Sequence, residues 1–395
     1  MKNKKQKWFF HYLDYPVLLA TFGLMIFGTF MIISAEMGEL DSDINGIMSS
    51  AIKQGAFILL SSVAFIAFCS LPFAKTRKDF LYVIYGVIFL MLIGCRFFKP
   101  VGGAYAWLRF GSISIQPSEF AKLFSIIYAA STFSKNYGDK QNKKNLIIYV
   151  VGMLIYAFII LAVQKDLGSA AVLIIISYIN VLVTDYKCFR NITFGGMMII
   201  LFVIALMLLL LSDVGTAFFK KLGSHYQILR FLASANPFEY QYDAGYHLVM
   251  SLISFATGGL FGLGYGKSIH KYMNFPNPST DFILPVVVEE LGVITGLLPI
   301  LIGYGILLIS LMYYSFKTKR NRSRIVFVGT FTYLISHFIL NVGGVSGLLP
   351  LTGVPLLFIS AGGTSLLSIM SCLGLAESEI VEYRRSLDES SSRQI

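Results

Sequence analysis

Tyr15-Pro-Val-Leu-Leu-Ala-Thr-Phe-Gly-Leu-Met-Ile-Phe-Gly-Thr-Phe-Met-Ile-Ile-Ser34 carries no charged residue, and about twenty such residues make a helix that crosses about 30 Å of hydrocarbon. The chain ahead of it opens Met-Lys-Asn-Lys-Lys-Gln-Lys, and the run lacks the small-residue cleavage pattern of a secretory leader. It reads as a retained first transmembrane helix. Further apolar runs of spanning length lie at 52–73, 80–97, 117–133, 146–163, 167–184, 192–211, 282–314, 325–342 and 354–376, each able to cross once when tilted. The expected fold is an all-α polytopic membrane protein of about ten transmembrane helices.

Composition excludes a water-soluble fold: 56% of the 395 residues are apolar and 13% charged, with a mean hydropathy of +0.71, where soluble domains carry roughly a quarter charged residues. The net charge of +11 does not indicate nucleic acid, because the basic residues punctuate the apolar runs instead of forming one polar domain. Lys2, Lys4, Lys5 and Lys7, then Lys75, Arg77 and Lys78, Lys135, Lys140, Lys143 and Lys144, Lys187 and Arg190, and Lys317 to Arg324 fall on alternate loops. The first intervening loop holds Glu36, Glu39, Asp41 and Asp43. Positive charge on the inner side then places both termini in the cytoplasm. Cys69, Cys95, Cys188 and Cys372 lie in or beside different spans without paired spacing or a His companion, so neither a disulfide framework nor a metal site is expected.

Between spans seven and eight the stretch 212–281 forms a long extracytoplasmic loop, and loops of that length are usually functional. Within it, Tyr246 to Ala256 has helical apolar spacing, suited to a helix at the membrane interface. Residues 1–382 read as one transmembrane domain, and the polar tail 383–395 as disordered.

An ionised group inside a span costs about 2.5–3.5 kcal/mol on insertion scales unless it faces a partner or a cavity, so such residues are site candidates. Four places qualify. Ser279-Thr-Asp-Phe-Ile-Leu-Pro285 opens the eighth run, with Glu289 and Glu290 deeper; Thr280 and Asp281 could simply cap the helix. The run is long enough for its outer turns to line a cavity, where Asp281 could meet a substrate with Glu289 beside it and Glu290 pointing away. Gln116-Pro-Ser-Glu119 with Lys122 opens span four as a helix start with an i,i+3 ion pair; Lys122, or Arg109 in Trp107-Leu-Arg-Phe-Gly111, could instead meet an anionic head group. Gln164-Lys-Asp-Leu-Gly168 sits in a short hairpin, with Asp166 as a helix cap or a rim carboxylate. The Gly-rich run Asn341 to Pro355 and Ser360-Ala-Gly-Gly-Thr-Ser365 read as irregular backbone folded into the bundle. Gly264-Tyr-Gly-Lys-Ser268 ends like a phosphate-binding loop, but Phe261 stands where the first glycine is required.

Taken in order, Gln116 to Lys122, Gln164 to Gly168, Arg230-Phe-Leu-Ala-Ser-Ala-Asn-Pro-Phe238, Gly245-Tyr-His-Leu248, Thr280 to Ile283, Glu289-Glu-Leu-Gly292 and Asn341 to Gly347 resemble the SEDS family (shape, elongation, division and sporulation proteins), over nearly the whole chain. The likeness is strongest to its FtsW branch in Gram-positive bacteria. It implies a peptidoglycan glycosyltransferase that polymerises lipid II on the outer face of the cytoplasmic membrane for the division septum, with a class B penicillin-binding protein and divisome proteins as partners. Asp281 matches the family's essential aspartate; as general base or as electrostatic stabiliser is open. Trp107, Arg109, Glu119, Lys122, Lys165, Asp166, Glu289 and Ser365 are the substrate-binding candidates, and a divalent cation (Mg or Mn) could assist. The chain departs from the family at Pro276-Asn-Pro-Ser-Thr-Asp281, where members often read Pro-Glu-Ala-His-Thr-Asp, and at Leu357, Ala361 and Thr364. A lipid flippase, an elongation polymerase and a scaffold without chemistry of its own are the competing expectations.

Overall fold

The structure, a computed structural model, describes residues 9–38, 44–70, 78–111, 113–134, 139–184, 232–242, 245–273, 275 and 277–391. Its elements are α1 (Tyr15–Glu36), α2 (Ile44–Ser70), α3 (Lys78–Gly94), a hairpin of β1 (Leu108–Phe110) and β2 (Ile113–Ile115), α4 (Pro117–Thr132), α5 (Asp139–Ile159), α6 (Leu167–Leu182), α7 (Tyr246–Gly258), α8 (Ile283–Gly292), α9 (Leu298–Lys317), α10 (Asn321–Val345) and α11 (Gly363–Ser391). Pro16, Pro117 and Pro299 sit in the first turns of α1, α4 and α9, where a missing N–H costs nothing.

Seven helical stretches among the described residues are long and apolar enough to cross a membrane. Their outward faces stay apolar: Leu19, Leu59, Leu90, Phe158 and Ile309 are 69–75% exposed, a surface that water would not tolerate and lipid requires. The shorter α4 and α6 occupy the middle of the bundle, against α10 and α11. Each expected span is found as helix except 192–211, which lies outside the described residues. The expected interfacial helix within the long loop is α7, packed on α8.

Two spans differ from expectation. The run 282–314 is split: Gly292 takes φ 73°, followed by a π-helical turn at Val293–Leu297. The loop after α7 fills the break, with Leu263 N–H and Gly264 N–H donating to the carbonyls of Glu289 and Glu290, and Val293 N–H and Ile294 N–H donating back to Gly259 and Leu260. The last span begins at Gly363, not at 354, because the preceding stretch forms an irregular loop.

The expectation of a disordered tail is corrected: α11 continues as helix through Ser391. Its charges have partners that composition does not reveal. Glu379 accepts from Arg322 and Ser323, Glu382 pairs with Arg320 and Arg322, and Arg384 donates to the carbonyls of Tyr12 and Leu13. The same contacts bring the amino-terminal segment, the α9–α10 turn and the end of α11 to one end of the bundle. Both described ends of the chain therefore lie on one side.

Close helix approach depends on glycine at chosen points. A side chain at Gly28 of α1 would collide with backbone of Phe358 and Ile359, whereas Gly23 has open space around it. Gly28→Ala is expected to lower stability by about 1–3 kcal/mol, as overpacking does, and Gly23→Ala to leave it unchanged. Thermal unfolding of the two purified variants checks this.

Candidate active site

Asp281 lies outside α8, in a turn built on Asn277, whose φ of 50° lets its carbonyl accept from Thr280 N–H at 3.2 Å and Phe282 N–H at 3.4 Å. The helix starts only at Ile283 with Phe282 at the cap position, and the Thr280 hydroxyl donates back to Asn277 O. Thr280 is thus not the helix cap, correcting the structural alternative drawn from the sequence.

What fixes this turn is the loop between α10 and α11. Ala361 N–H donates to Ser279 O (2.8 Å), Ser360 Oγ to Thr280 O (2.7 Å) and Asn341 Nδ2 to Asp281 O (2.9 Å). Three successive carbonyls are thus held, two by the loop and one by Asn341 near the end of α10, and the backbone that carries the Asp281 side chain is fixed. Asn341 Nδ2 also donates to Val354 O at 2.9 Å, tying the end of α10 to the loop. Gly353 has φ 70°, and a Cβ there would lie 3.4 Å from Asp281 Oδ2. The Gly-rich run is irregular backbone folded into the bundle only from Ser346, since Asn341–Val345 continue α10 and Gly363–Ser365 already belong to α11; the irregular part forms one wall beside the carboxylate.

The Gln164–Gly168 hairpin closes on the same loop. After α5 a π-helical turn (Ile160–Gln164) ends at Lys165 with φ 59°, and Asp166 caps α6 by accepting from Ser169 N–H at 3.0 Å. Its other oxygen accepts from Gln116 Nε2 at 3.2 Å, which joins the Gln-Pro-Ser-Glu and Gln-Lys-Asp motifs. A Cβ on Gly168 would meet Thr352 O at 2.9 Å and Val354 Cγ2 at 2.7 Å. The Asp166 hairpin and Asp281 thus flank Thr352–Val354. Lys165 is exposed, as is Arg109 on β1, with Trp107 half-buried just before it; Tyr105 N–H donates to Gln164 O at 2.7 Å and anchors the hairpin arm beside Lys165. Arg96, stacked 4.1 Å over the Tyr105 ring, adds a third cation at this corner.

The other expected residues have different work. Glu119 and Lys122 are 1% and 0% exposed and form the expected i,i+3 pair at 2.7 Å, so neither offers a substrate-facing surface. Tyr333 OH donates to Glu119, and His337 Nε2 lies 3.1 Å from Lys122 Nζ while its Nδ1 lies 3.2 Å from Pro355 O. One neutral tautomer satisfies both contacts: Nδ1–H donates to the carbonyl and Nε2 accepts from the ammonium. Glu289 does not share a cavity with Asp281. It accepts from Ser268 Oγ (2.6 Å) and Ile269 N–H (3.1 Å) and pairs with His270 Nδ1 (2.7 Å), while Glu290 pairs with Lys271 and accepts from Ser34 Oγ, each at 2.7 Å. The phosphate-loop lookalike wraps these carboxylates. Ser365 is buried, donating to Gly362 O at 3.0 Å in the first turn of α11.

Tyr333, His337 and the bonding role of Asn341 were not singled out from the sequence. Their four-residue spacing, one stripe on α10, is the signal that could have found them.

The family described as Cell cycle protein (FtsW, RodA, SpoVE) matches residues 15–385. The chain belongs to this family. Among its relatives, the probable peptidoglycan glycosyltransferase FtsW of Bacillus subtilis is 31% identical, the match covering 92% of this chain and 89% of the relative. Stage V sporulation protein E of the same organism is 29% identical over 92% and 95%. Among solved structures, a chain of a peptidoglycan synthase complex superposes with a TM-score of 0.69 at 23% identity, covering 94% of this chain and 98% of that one. RodA of Thermus thermophilus gives 0.59 at 21%, covering 94% and 97%. The fold is thus that of a polytopic membrane family.

Because Glu119 is buried, Lys122→Met is expected to cost about 3–5 kcal/mol by leaving a carboxylate unpaired, and adding Glu119→Gln to recover much of it. A double-mutant cycle on thermal stability in detergent measures the coupling.

Proposed function

We propose that this chain is a peptidoglycan glycosyltransferase that joins lipid II units into glycan on the outer face of the cytoplasmic membrane, acting in septal wall synthesis beside a class B penicillin-binding protein and other divisome proteins. The observation that carries the reading is Asp281, a half-buried carboxylate at the end of a Ser279–Asp281 backbone held by three hydrogen bonds, from Asn341 of α10 and from Ser360 and Ala361 of the loop after it. Family membership and the FtsW relatives supply the reaction class.

The acceptor's 4-hydroxyl oxygen bonds to the donor's anomeric carbon, the bond from that carbon to undecaprenyl pyrophosphate breaks, and the hydroxyl proton passes to Asp281 as general base. Arg109 and Lys165, exposed at the neighbouring corner, are the cations that meet the leaving pyrophosphate. Lys122 is not, because it is spent on Glu119. Asn341 Oδ1 and Thr352 Oγ1 are buried with no partner among the described residues; buried polar atoms beside a site are satisfied by ligand or water, and a sugar hydroxyl or amide fits there. The walls around Asp281 restrain the acceptor so that its hydroxyl stays against the carboxylate.

A divalent cation is compatible with this donor set. No cluster of three or more His, Cys, Asp or Glu able to hold a metal occurs among the described residues, but Mg or Mn needs only one or two carboxylates when substrate phosphates complete its shell. Asp281 would hold it, and it would neutralise the leaving group's charge. EDTA is expected to abolish polymerisation and Mg or Mn to restore it, read as glycan product on gels.

Purified protein with its penicillin-binding partner is expected to polymerise lipid II, and Asp281→Asn to lower the rate by about 10²-fold or more, as loss of a positioned base does, with unchanged thermal stability. Undiminished polymerisation by Asp281→Asn would remove the assignment. Septal placement is read from a fluorescent fusion, and a uniform wall distribution would transfer the chain to elongation.

A further inference from the structure

A second cleft opens at the opposite end of the bundle from Asp281, where α3 and α5 begin and α4 ends. Its lining is Tyr82 of α3, Tyr128 and Thr132 of α4, and Asn145 and Ile148 of α5, around an open-mouthed space whose enclosed part is only about 10 Å³, room for one polar atom of a ligand. Tyr82 is 52% and Ile148 37% exposed, so the mouth faces outward between two spans. Asn145 is 6% exposed. Its carbonyl Oδ1 accepts from Gln141 Nε2 at 3.1 Å, which leaves Nδ2 as the free end of the amide, and that buried donor has no partner among the described residues.

A buried N–H₂ with two phenols and a threonine around it asks for an oxygen-rich acceptor. The charge nearby has the matching sign. Lys144 adjoins Asn145 and stands one turn before Ile148, and Lys140 and Lys143 are exposed on the same first turns of α5; Asp79, three residues before Tyr82, is the acidic residue on the α3 rim. Asn145 lies six residues inside α5 and Tyr82 four inside α3, about 6–9 Å from the helix starts at 1.5 Å per residue. The cleft thus lies where the polar first turns of α5 give way to its apolar run, the level that suits a phospholipid head group. Tyrosines at that level are the usual interfacial anchors.

We propose that this cleft is a binding site for one anionic phospholipid of the leaflet opposite the Asp281 site, its phosphodiester oxygens taken by Asn145 Nδ2 and Lys144 with Tyr82 beside them. The chain's catalytic end uses an outer-leaflet lipid; here a resident lipid of the other leaflet is held at the junction of α3, α4 and α5. Neither the residues nor the test overlaps with glycan polymerisation, so failure of one reading leaves the other standing. Which leaflet is cytoplasmic follows from the lysine-rich loops and is not needed for the binding itself.

The test uses the full-length protein in detergent, with dioleoyl-phosphatidylglycerol and dioleoyl-phosphatidylcholine as probes in native mass spectrometry and thermal unfolding. One phosphatidylglycerol is expected to be retained over phosphatidylcholine, with a matching rise in unfolding temperature. The Lys143→Gln/Lys144→Gln variant, which keeps the cleft intact, is expected to weaken retention by about thirtyfold, since each basic residue near anionic lipid contributes on the order of one kcal/mol. Asn145→Asp, similar in shape but repelling phosphate, is expected to remove the preference. Equal retention of the two lipids by the unaltered protein, unchanged selectivity in both variants, or equal protection by inorganic phosphate would overturn the proposal, the last by reducing the cleft to a site for free anions.

Discussion

The hold of the α10–α11 loop on the Ser279–Asp281 backbone is the interaction on which the arrangement of this molecule turns. A chain that leaves helix between membrane spans must satisfy its backbone polar groups within the protein, and here two irregular segments satisfy each other. Two donors come from the loop, Ser360 and the amide of Ala361, a third comes from Asn341 near the end of α10, and the acceptors are the three carbonyls ending at Asp281. Neither segment could keep its path without the other. The aspartate is oriented by a requirement that would exist even if it did no chemistry.

From that junction the constraint runs inward. Pro355 O reaches His337, His337 reaches Lys122, and Lys122 is neutralised by Glu119, which Tyr333 also caps. A desolvated ion pair is costly unless every remaining donor and acceptor is met, and this one is met by two side chains from α10 and by a carbonyl relayed from the Gly-rich loop. The pair is thereby a keystone between α4 and α10 more than a contact for substrate. Its burial separates two roles that the sequence left together: the cations that can reach an anionic ligand are the exposed Arg109 and Lys165, and the cation inside serves packing.

Apolar run length and Lys/Arg placement were enough to read the spans from the sequence, because hydrocarbon thickness and insertion energetics act on composition alone. The i,i+3 pair of Glu119 and Lys122 and the cap formed by Asp166 were legible for a similar reason, since both are local in sequence. Long-range choices were not. Glu289 and Asp281 share a helix run, and helical phase alone allowed them one cavity; the break at Gly292 and the loop that docks on it give Glu289 to Ser268, Ile269 and His270. The tail failed similarly. Its polarity suggested disorder from residue 383, yet Arg384 and Asp388 find partners in Tyr12 and Leu13 of the amino-terminal segment, and those pairings exist only once the helices are assembled.

Charge in this chain accordingly sorts by what neutralises it. Glu289, Glu290, Glu119 and Glu379 each face a basic side chain or several hydrogen-bond donors, and their environments would be as stable with no ligand present. At the Asp281 end, by contrast, Oδ2 faces Gly353, and two buried polar atoms of the same wall, Asn341 Oδ1 and Thr352 Oγ1, have no partner among the described residues. Gly353 is held at φ 70°, where the backbone itself requires glycine, so it is those two atoms that call for a ligand. That they are left unsatisfied beside a fixed carboxylate is the physical argument for chemistry at this end of the molecule, and it holds independently of any likeness to other proteins.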